Sequence, residues 1–166
     1  AVWHAVFQSV SAFNGAGFAT LPASSSLSAF QTDKAVLGTM GVLILLGAVG
    51  YWPLADVVRS RKFARLRLNT KLVLLLTLAL TAAGAIALFG SEYDNDRTLG
   101  SLSVADKAAV SVFEAVSGRT AGFSTIDYGE ALRRTYFTTI LLMFIGGASA
   151  SVAGGIKVNT LGVVLV

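Results

Sequence analysis

The sequence predicts an all-α integral membrane protein built from helix–pore loop–helix repeats. Hydrophobic residues make up 54% of the 166 residues and charged residues 13%, whereas an ordinary soluble domain carries roughly 25% charged residues. The mean hydropathy is +0.71. A polar, glycine-bearing segment, FEAVSGRTAGFST at Phe113–Thr125, lies between apolar segments of membrane length. Such a backbone is tolerated at membrane depth where protein buries it or where it lines a water-filled cavity.

A second copy of this polar segment stands near the start of the chain. FQSVSAFNGAGFAT aligns with it at an offset of 105 residues, which places Gly17 opposite Gly122 and Thr20 opposite Thr125. That offset is too long for a solenoid unit and fits a module of two membrane helices joined by a loop. The chain is therefore expected to divide into 1–67, a pore loop with the second helix of its repeat, and 68–166, a complete repeat whose last helix is broken.

Three apolar segments give the order of elements in the first part of the chain. Ala1–Phe13 is too short to cross a bilayer that needs roughly 20 residues, so it is expected to be a re-entrant pore helix rather than a truncated spanning helix. Ala35–Val58 and Leu72–Phe89 are the spanning candidates. Tyr51 and Trp52, near the end of the first candidate, suit the membrane interface.

The later part of the chain predicts a second pore helix and a broken helix. Ser103 followed by Asp106 resembles a capping pair and begins a helix expected at Val104–Ser117. Tyr136–Val166 is long enough to span the bilayer, but Gly146–Lys157 interrupts it with glycines and serines. Glycine costs about 1 kcal/mol relative to alanine within a helix, so this segment is expected to be a break.

Basic residues cluster in the connector between the two spanning candidates. The positive charge of such connectors marks the cytoplasmic side, so the acidic segment Ser91–Gly100 is expected outside. A patch for nucleic acid or anionic lipid is the alternative interpretation, and we expect no nucleic-acid partner. The cluster consists of Arg59, Arg61, Lys62, Arg65, Arg67 and Lys71.

Residues suited to catalysis are scarce. The sequence has no cysteine and a single histidine, His4, which excludes disulfides and thiolate metal sites. The segment GGASASVAGGIK ends like a phosphate-binding loop, but Ile156 separates Gly155 from Lys157 and no strand precedes it. The sequence therefore predicts neither an enzyme nor a resident cofactor.

The two glycine-bearing loops predict an ion filter made of backbone carbonyls. Such a filter needs residues without bulky side chains that can hold unusual dihedral angles. Each glycine taken singly could be a helix C-cap, but the matched contexts of Gly17 and Gly122 favour the filter. Phe18 and Phe123 are expected to anchor the loops by packing behind them.

Arg119, three residues before Gly122, is an ionisable residue inside a membrane segment. Such residues are functional candidates by default. A cation in the path of a cation would repel it. We therefore expect Arg119 to pair with Glu114 or Asp127 and to brace the loop.

Three segments, SAFNGAGF, VSGRTAGFST and MFIGGASASVAGGIKVNT, resemble the signature segments of the Trk/Ktr/HKT superfamily of potassium transporters. LGAVGYWP, at 46–53, resembles the end of the helix after that family's second filter loop. The resemblance covers nearly the whole chain. It implies a two-transmembrane, potassium-channel-like fold in which four repeats in one polypeptide surround a pore and each gives one filter glycine. The chain would hold the end of the second repeat and all of the third.

The resemblance also implies roles for individual residues, with K⁺ held by backbone carbonyls near Gly17 and Gly122. A flexible loop in the broken helix would lie under the filter as a gate. Gly15 stands where the family often has Asn, and Ala150 and Val152 stand where the gate commonly has Gly and Thr. The implied filter residues are Asn14, Gly15, Ala16, Gly17, Thr120, Ala121 and Gly122, and the implied gate residues are Gly146, Gly147, Ala148, Ser149, Ala150, Ser151, Gly154, Gly155 and Lys157.

The resemblance implies K⁺ uptake by a multi-pass protein of the plasma membrane, and it leaves Na⁺ coupling open. The implied partners are the remaining repeats of the full-length protein, a second copy in a homodimer, and a cytoplasmic nucleotide-binding regulatory subunit. One complete and one partial repeat cannot close a four-fold pore, so the sequence is expected to be a piece of a longer protein. The alternative function is a non-conducting membrane scaffold whose glycines serve helix contacts.

Overall fold

The structure is a computed structural model and describes residues 2–20, 27–119 and 121–164. It is all-α, as predicted, and the strand-like pairing in these ranges is an isolated bridge between Ile145 and Ile156. Short 3-10 turns lie at Ser28–Phe30, Phe63–Arg65 and Tyr128–Glu130. The helices are α1 (Val2–Phe13), α2 (Lys34–Val49), α3 (Tyr51–Ser60), α4 (Leu68–Glu92), α5 (Val104–Ser117), α6 (Arg133–Phe144) and α7 (Val158–Val164).

The two short helices α1 and α5 are the predicted pore helices. The predicted bounds of α5 are confirmed, and its predicted cap is present. The hydroxyl oxygen of Ser103 accepts a hydrogen bond from the backbone N–H of Asp106 at 3.2 Å and donates to the Asp106 carboxylate at 2.6 Å. This reciprocal pair satisfies a backbone donor of the first turn, which fixes where the helix begins.

Helix α4 is the clearest membrane span. Its 25 residues cover about 37 Å, and its best window has a mean hydropathy of 2.5. The helix extends the predicted segment Leu72–Phe89 at both ends. Within the described ranges it is the helix that is long and apolar enough to cross a membrane unaided, and α2 with α3 meets the same criteria as a bent pair.

The prediction of one continuous span at Ala35–Val58 is wrong. Helices α2 and α3 meet at an angle of 99°. Gly50, between them, has φ +79° and ψ 168°, a conformation that glycine adopts readily. Pro53 lies in the first turn of α3, where a backbone N–H would have no acceptor within the helix, so its absence in proline costs no hydrogen bond. The chain therefore turns at Gly50, and the apolar composition of the segment conceals that change of direction.

The largest apolar cluster joins both pore helices to α2. Because this cluster also includes Ala121, Phe123 and Ile126, which lie in and just after the second pore loop, that loop rests on a packed support. A smaller cluster joins α4, α5 and α6 through Ala85, Leu88, Ala115 and Leu142. Buried members of the large cluster include Ala12, Leu37, Met40, Ile44, Val110, Phe113, Val116, Phe123 and Ile126.

Buried polar side chains tie the ends of α4, α5 and α6 together. Glu92, 1% exposed, accepts hydrogen bonds from the backbone N–H of Leu132 at 2.8 Å, from the Thr98 hydroxyl at 2.6 Å and from the Thr135 hydroxyl. The Nζ atom of Lys107 donates to the carbonyl of Tyr93 at 2.6 Å and so closes the last turn of α4. These bonds fix the segment that leads into the second pore helix.

Candidate ion filter and gate

The two loops that follow the pore helices meet at their predicted glycines. Gly17 has φ +72° and Gly122 has φ +79°, and residues with a side chain rarely adopt this backbone conformation. A Cβ built on Gly17 would lie 2.8 Å from the carbonyl oxygen of Ala121, and one built on Gly122 would lie 3.2 Å from the Cα of Gly17. The contact is therefore between backbones, and it has no room for side chains.

A serine at the end of each pore helix pins the loop that follows. The Ser11 hydroxyl donates to the carbonyl of Phe18 at 2.9 Å, and the Ser117 hydroxyl donates to the carbonyl of Phe123 at 2.5 Å. The Ser11 and Ser117 carbonyls also accept from Ala16 and Ala121 N–H groups, each at 2.9 Å. The sequence did not single out either serine as a site residue, although each stands six or seven residues before a matched phenylalanine.

The other predicted filter residues take ordinary places around these glycines. Asn14 donates through Nδ2 to the Val10 carbonyl at 2.8 Å, so its side chain closes the end of α1. Gly15 has φ +59°, and Ala121 is buried. The predicted filter residue Thr120 lies outside the described residues.

The two phenylalanines behave differently. Phe123 is 3% exposed and belongs to the large apolar cluster, as expected, whereas Phe18 is 70% exposed. The expectation that Phe18 packs behind its loop is therefore wrong for the chain as described. The physical reason is that Phe123 packs in one apolar cluster with residues of α2 and α5, whereas Phe18 belongs to no buried cluster among the described residues.

Glu114 and Arg119 do not form the predicted pair. The buried Glu114 carboxylate accepts from the Thr125 backbone N–H at 2.6 Å, from the Thr125 hydroxyl at 2.8 Å and from the Tyr128 hydroxyl at 2.9 Å. Asp127 instead accepts from the N–H of Gly129. Arg119 has a different partner, because its Nη2 donates to the carbonyl of Gly146 at 2.7 Å. Glu114 thus anchors the loop at Thr125, after Gly122, and Arg119 joins the loop to the broken helix.

The aligned threonines of the two loops are both anchored, but by different partners. The Thr20 hydroxyl bonds to Nδ1 of His4 at 2.8 Å in an exposed position. The Thr125 hydroxyl bonds to buried Glu114. The repeat alignment thus pairs two threonines that are both anchored, while the anchoring side chain differs between the repeats.

The predicted break in the last helix is present and runs from 145 to 157, between α6 and α7. It closes on itself through backbone bonds from Gly146 N–H to the Ile156 carbonyl at 3.1 Å and from Val158 N–H to the Gly147 carbonyl at 3.0 Å. Lys157, at its end, donates to the Ala153 carbonyl at 2.5 Å. The break is thus a folded loop whose freed backbone groups find new partners.

This loop docks on the end of α2. The N–H of Ala148 donates to the Ala48 carbonyl at 2.9 Å, and the N–H of Val152 approaches the Gly47 carbonyl at 3.5 Å. A Cβ built on Gly47 would overlap the carbonyl oxygen of Phe13, the last residue of α1, and would lie 3.1 Å from the side chain of Val152. The break, the end of α2 and the end of the first pore helix therefore meet at one point.

Ala150 and Asn159 are two further features of the break. Ala150 has φ +62°, a left-handed conformation that costs a residue with a Cβ roughly 1–2 kcal/mol. A glycine at this position, which the resemblance gives as common, would avoid that cost. Asn159, which the sequence did not single out, accepts from the Ser149 N–H at 2.8 Å and donates to Asn69 of α4. The break is thus tied to the preceding spanning helix.

Comparison with known proteins identifies the family of the chain. The family described as the cation transport protein TrkH matches residues 1–165. The chain belongs to this family. Members of this family are integral plasma-membrane proteins, and the proteins that the chain matches are transporters rather than enzymes.

Two relatives and one solved structure illustrate the match. The Ktr system potassium uptake protein B of Bacillus subtilis is 42% identical over 160 residues, which are 96% of this chain and 36% of that protein. The potassium/sodium uptake protein NtpJ of Enterococcus hirae is 34% identical over 165 residues, 99% of this chain and 36% of that protein. The crystal structure of the potassium transporter TrkH from Vibrio parahaemolyticus has a TM-score of 0.74 at 20% identity, over 98% of this chain and 34% of that one. The chain thus spans about a third of the length of these TrkH-family proteins.

Proposed function

We propose that this chain forms two neighbouring pore-lining units of a transporter that takes K⁺ into the cell. Residues 1–67 are the pore loop and second helix of the second repeat, and residues 68–166 are the third repeat. The potassium uptake proteins among the relatives support this proposal. The observation that best supports it is the contact between Gly17 and Gly122, which both have positive φ and lie in the loops that follow two pore helices.

In the proposed filter, backbone carbonyls beside Gly17 and Gly122 replace the hydration shell of K⁺. The hydroxyls of Ser11 and Ser117 hold the chain just beyond each glycine by bonding to phenylalanine carbonyls. Glu114 anchors the second loop at Thr125, three residues after Gly122. These bonds keep the carbonyl positions fixed without placing a side chain in the ion path.

In the proposed gate, the break at 145–157 lies beside the end of the first pore helix and blocks the ion path. Its glycines, alanines and serines permit other backbone conformations at low cost. Its docking on Gly47 and Ala48 holds it in place. Release of that docking would open the path for K⁺ beneath the filter.

The experiment that tests this function is Gly122→Ser in the full-length transporter, with uptake of K⁺ and Na⁺ measured in cells that lack other K⁺ uptake systems. A side chain at Gly122 would press on the backbone of Gly17. We expect the preference for K⁺ over Na⁺ to fall by roughly tenfold. The matched control is Gly90→Ser in α4, where a Cβ would meet nothing within 4 Å. Unchanged uptake of both ions by Gly122→Ser would contradict the filter.

The proposal extends to the coupled ion and the partners. A role for Na⁺ is supported by the name of the potassium/sodium uptake protein NtpJ, and K⁺ uptake measured with and without Na⁺ tests it. The family resemblance supports a homodimer and a cytoplasmic nucleotide-binding regulatory subunit. Native mass spectrometry of the full-length protein, with and without cytoplasmic proteins, tests both.

A non-conducting scaffold is the competing function. Its glycines would serve helix contacts, and Gly84 of α4 fits that role because a Cβ there would lie 2.8 Å from Leu142. The positive φ of Gly17 and Gly122 favours the filter, since helix contacts need small residues but no left-handed backbone. A scaffold would reach the membrane and leave K⁺ flux at the level of cells without the protein.

A further inference from the structure

Arg119 is a buried cation between the two parts of the proposed ion path. It lies three residues before Gly122, and 2% of the residue is exposed. Its Nη2 donates to the carbonyl of Gly146, the second residue of the break, at 2.7 Å. The side chain therefore bridges the second filter loop and the broken helix, which are 27 residues apart in sequence.

No carboxylate neutralises this guanidinium among the residues that the structure describes. Its Nε and Nη1 atoms are buried and have no hydrogen-bond partner in the same part of the chain. A buried charge is costly when its partners are lost. The position of the Gly146 carbonyl therefore determines how well Arg119 is stabilised, and Arg119 in turn favours the conformation that supplies this carbonyl.

The closed form of the break holds the Gly146 carbonyl in place. The N–H of Gly146 donates to Ile156 at 3.1 Å, and the N–H of Ile156 donates to Phe144 at 2.9 Å. A Cβ on Gly146 would overlap the carbonyl oxygen of Gly154, so this position must present bare backbone. If the break rearranges, the carbonyl turns and Arg119 loses its acceptor.

We propose that Arg119 is a positioning residue that couples the filter to the gate. Its bond to Gly146 holds the break in the docked conformation and, through the same side chain, holds the backbone just before Gly122. Opening of the break releases Arg119 and loosens the filter loop, so the gate state and ion selectivity change together. This inference rests on the proposed function, because it assigns Arg119 to a filter and a gate.

The test uses the full-length transporter in liposomes of phosphatidylethanolamine and phosphatidylglycerol, without any added subunit. Arg119→Gln removes the charge and shortens the reach to Gly146. We expect basal K⁺ flux to rise roughly fivefold or more, the lower end of typical coupling between sites, and the ratio of K⁺ to Na⁺ flux to fall in the same variant. Arg119→Lys keeps the charge but lacks the planar donor fork, and we expect a smaller change in both quantities.

The matched control is Lys107→Gln. Lys107, in α5, is also a buried cation that donates to a backbone carbonyl. Its acceptor, however, is Tyr93, at the end of α4. We expect Lys107→Gln to lower the amount of folded protein while leaving flux per molecule and the ion ratio unchanged. If Arg119→Gln does no more than this, Arg119 has a structural role and the coupling is overturned.

Gly122→Ser, measured in the same liposomes, separates the inference from the proposed function. A changed ion ratio in Gly122→Ser together with wild-type flux and ratio in Arg119→Gln overturns the coupling and leaves the filter intact. An unchanged ratio in Gly122→Ser overturns the proposed function itself. If Arg119→Gln does not fold, Arg119→Lys decides, and wild-type flux and ratio in that variant overturn the coupling.

Discussion

The backbone N–H of Ala148 donates to the carbonyl of Ala48 at 2.9 Å. This bond attaches the break between α6 and α7 to the end of α2. Gly50, two residues after Ala48, turns the chain by 99°. The break at 145–157 and the turn at Gly50 therefore lie against each other and stabilise each other. The position of the broken helix depends on small residues that another repeat supplies.

Gly47→Ala tests this dependence. An added Cβ would overlap the Phe13 carbonyl and crowd Val152, and overpacking of this kind costs typically 1–3 kcal/mol. We expect the full-length protein to unfold at a temperature several degrees lower and to lose K⁺ uptake. Fluorescence-detected size-exclusion chromatography after heating measures the first effect.

Gly38→Ala is the control for that variant. Gly38 lies in the same helix, and a Cβ there would meet nothing within 4 Å. Since alanine favours a helix over glycine by about 1 kcal/mol, we expect equal or slightly higher stability. Equal behaviour of the two variants would show that contact with α1 and the break does not limit residue size at Gly47.

Glu114→Gln tests the anchor of the second filter loop. Glutamine offers a single acceptor oxygen and an NH₂ group, so it cannot accept from all three donors that Glu114 satisfies through Thr125 and Tyr128. A buried donor left without an acceptor costs about 1–3 kcal/mol. We expect lower thermal stability and a weaker preference for K⁺ over Na⁺.

Glu130→Gln provides the comparison for Glu114. Glu130 forms an exposed salt bridge with Arg97, and exposed pairs contribute about 0–1 kcal/mol. We expect little change in stability and none in selectivity. If Glu114→Gln keeps the selectivity of wild type, the Glu114 carboxylate does not support the filter.

The sequence predicted best where local chemistry determines the structure. Ser103 and Asp106 predicted where α5 begins, and the glycines of 146–157 predicted the break. The turn at Gly50 was missed because hydropathy shows which residues favour lipid and not the direction of the chain. Gly50 with Pro53 three residues later was the available signal.

The contacts of Arg119 could not be predicted from charge patterns. Its acceptor is a backbone carbonyl, and every residue carries one. Glu114 and Asp127, the nearby carboxylates, were the natural partners in sequence, but the fold directs them to Thr125, Tyr128 and Gly129. The pairing of distant backbone with a buried side chain depends on how the repeats pack, and that information is not local.

The membrane orientation gives a further prediction. The basic connector between α3 and α4 should face the cytoplasm, and the segment after α4 should face outside. Lys62 and Asp94 are exposed in these two segments, and the chain contains no cysteine. Single cysteines at these positions in the full-length protein should react with an impermeant reagent from opposite sides. Reaction of both from outside would contradict this topology.

Deletion of Ala148–Val152 tests the gate. The deletion removes both bonds by which the break docks on α2. It leaves Gly147 next to Ala153, and a Cβ on Gly147 would already lie 2.7 Å from the Cβ of Ala153. The chain can therefore be rejoined across the gap with little movement, and the backbone bonds from Gly146 to Ile156 and from Val158 to Gly147 can remain.

We expect this deletion to raise K⁺ flux, because it removes the loop that, in the proposed gate, fills the ion path beside the end of α1. Ala150→Gly is the control, since it keeps both docking bonds and removes the left-handed alanine. We expect it to express normally and to retain gated flux. Uptake in cells that lack other K⁺ systems, divided by the amount of protein in the membrane, is the measurement. A deletion variant that reaches the membrane in normal amounts with unchanged or abolished flux would show that the loop packs the helices and does not gate the pore.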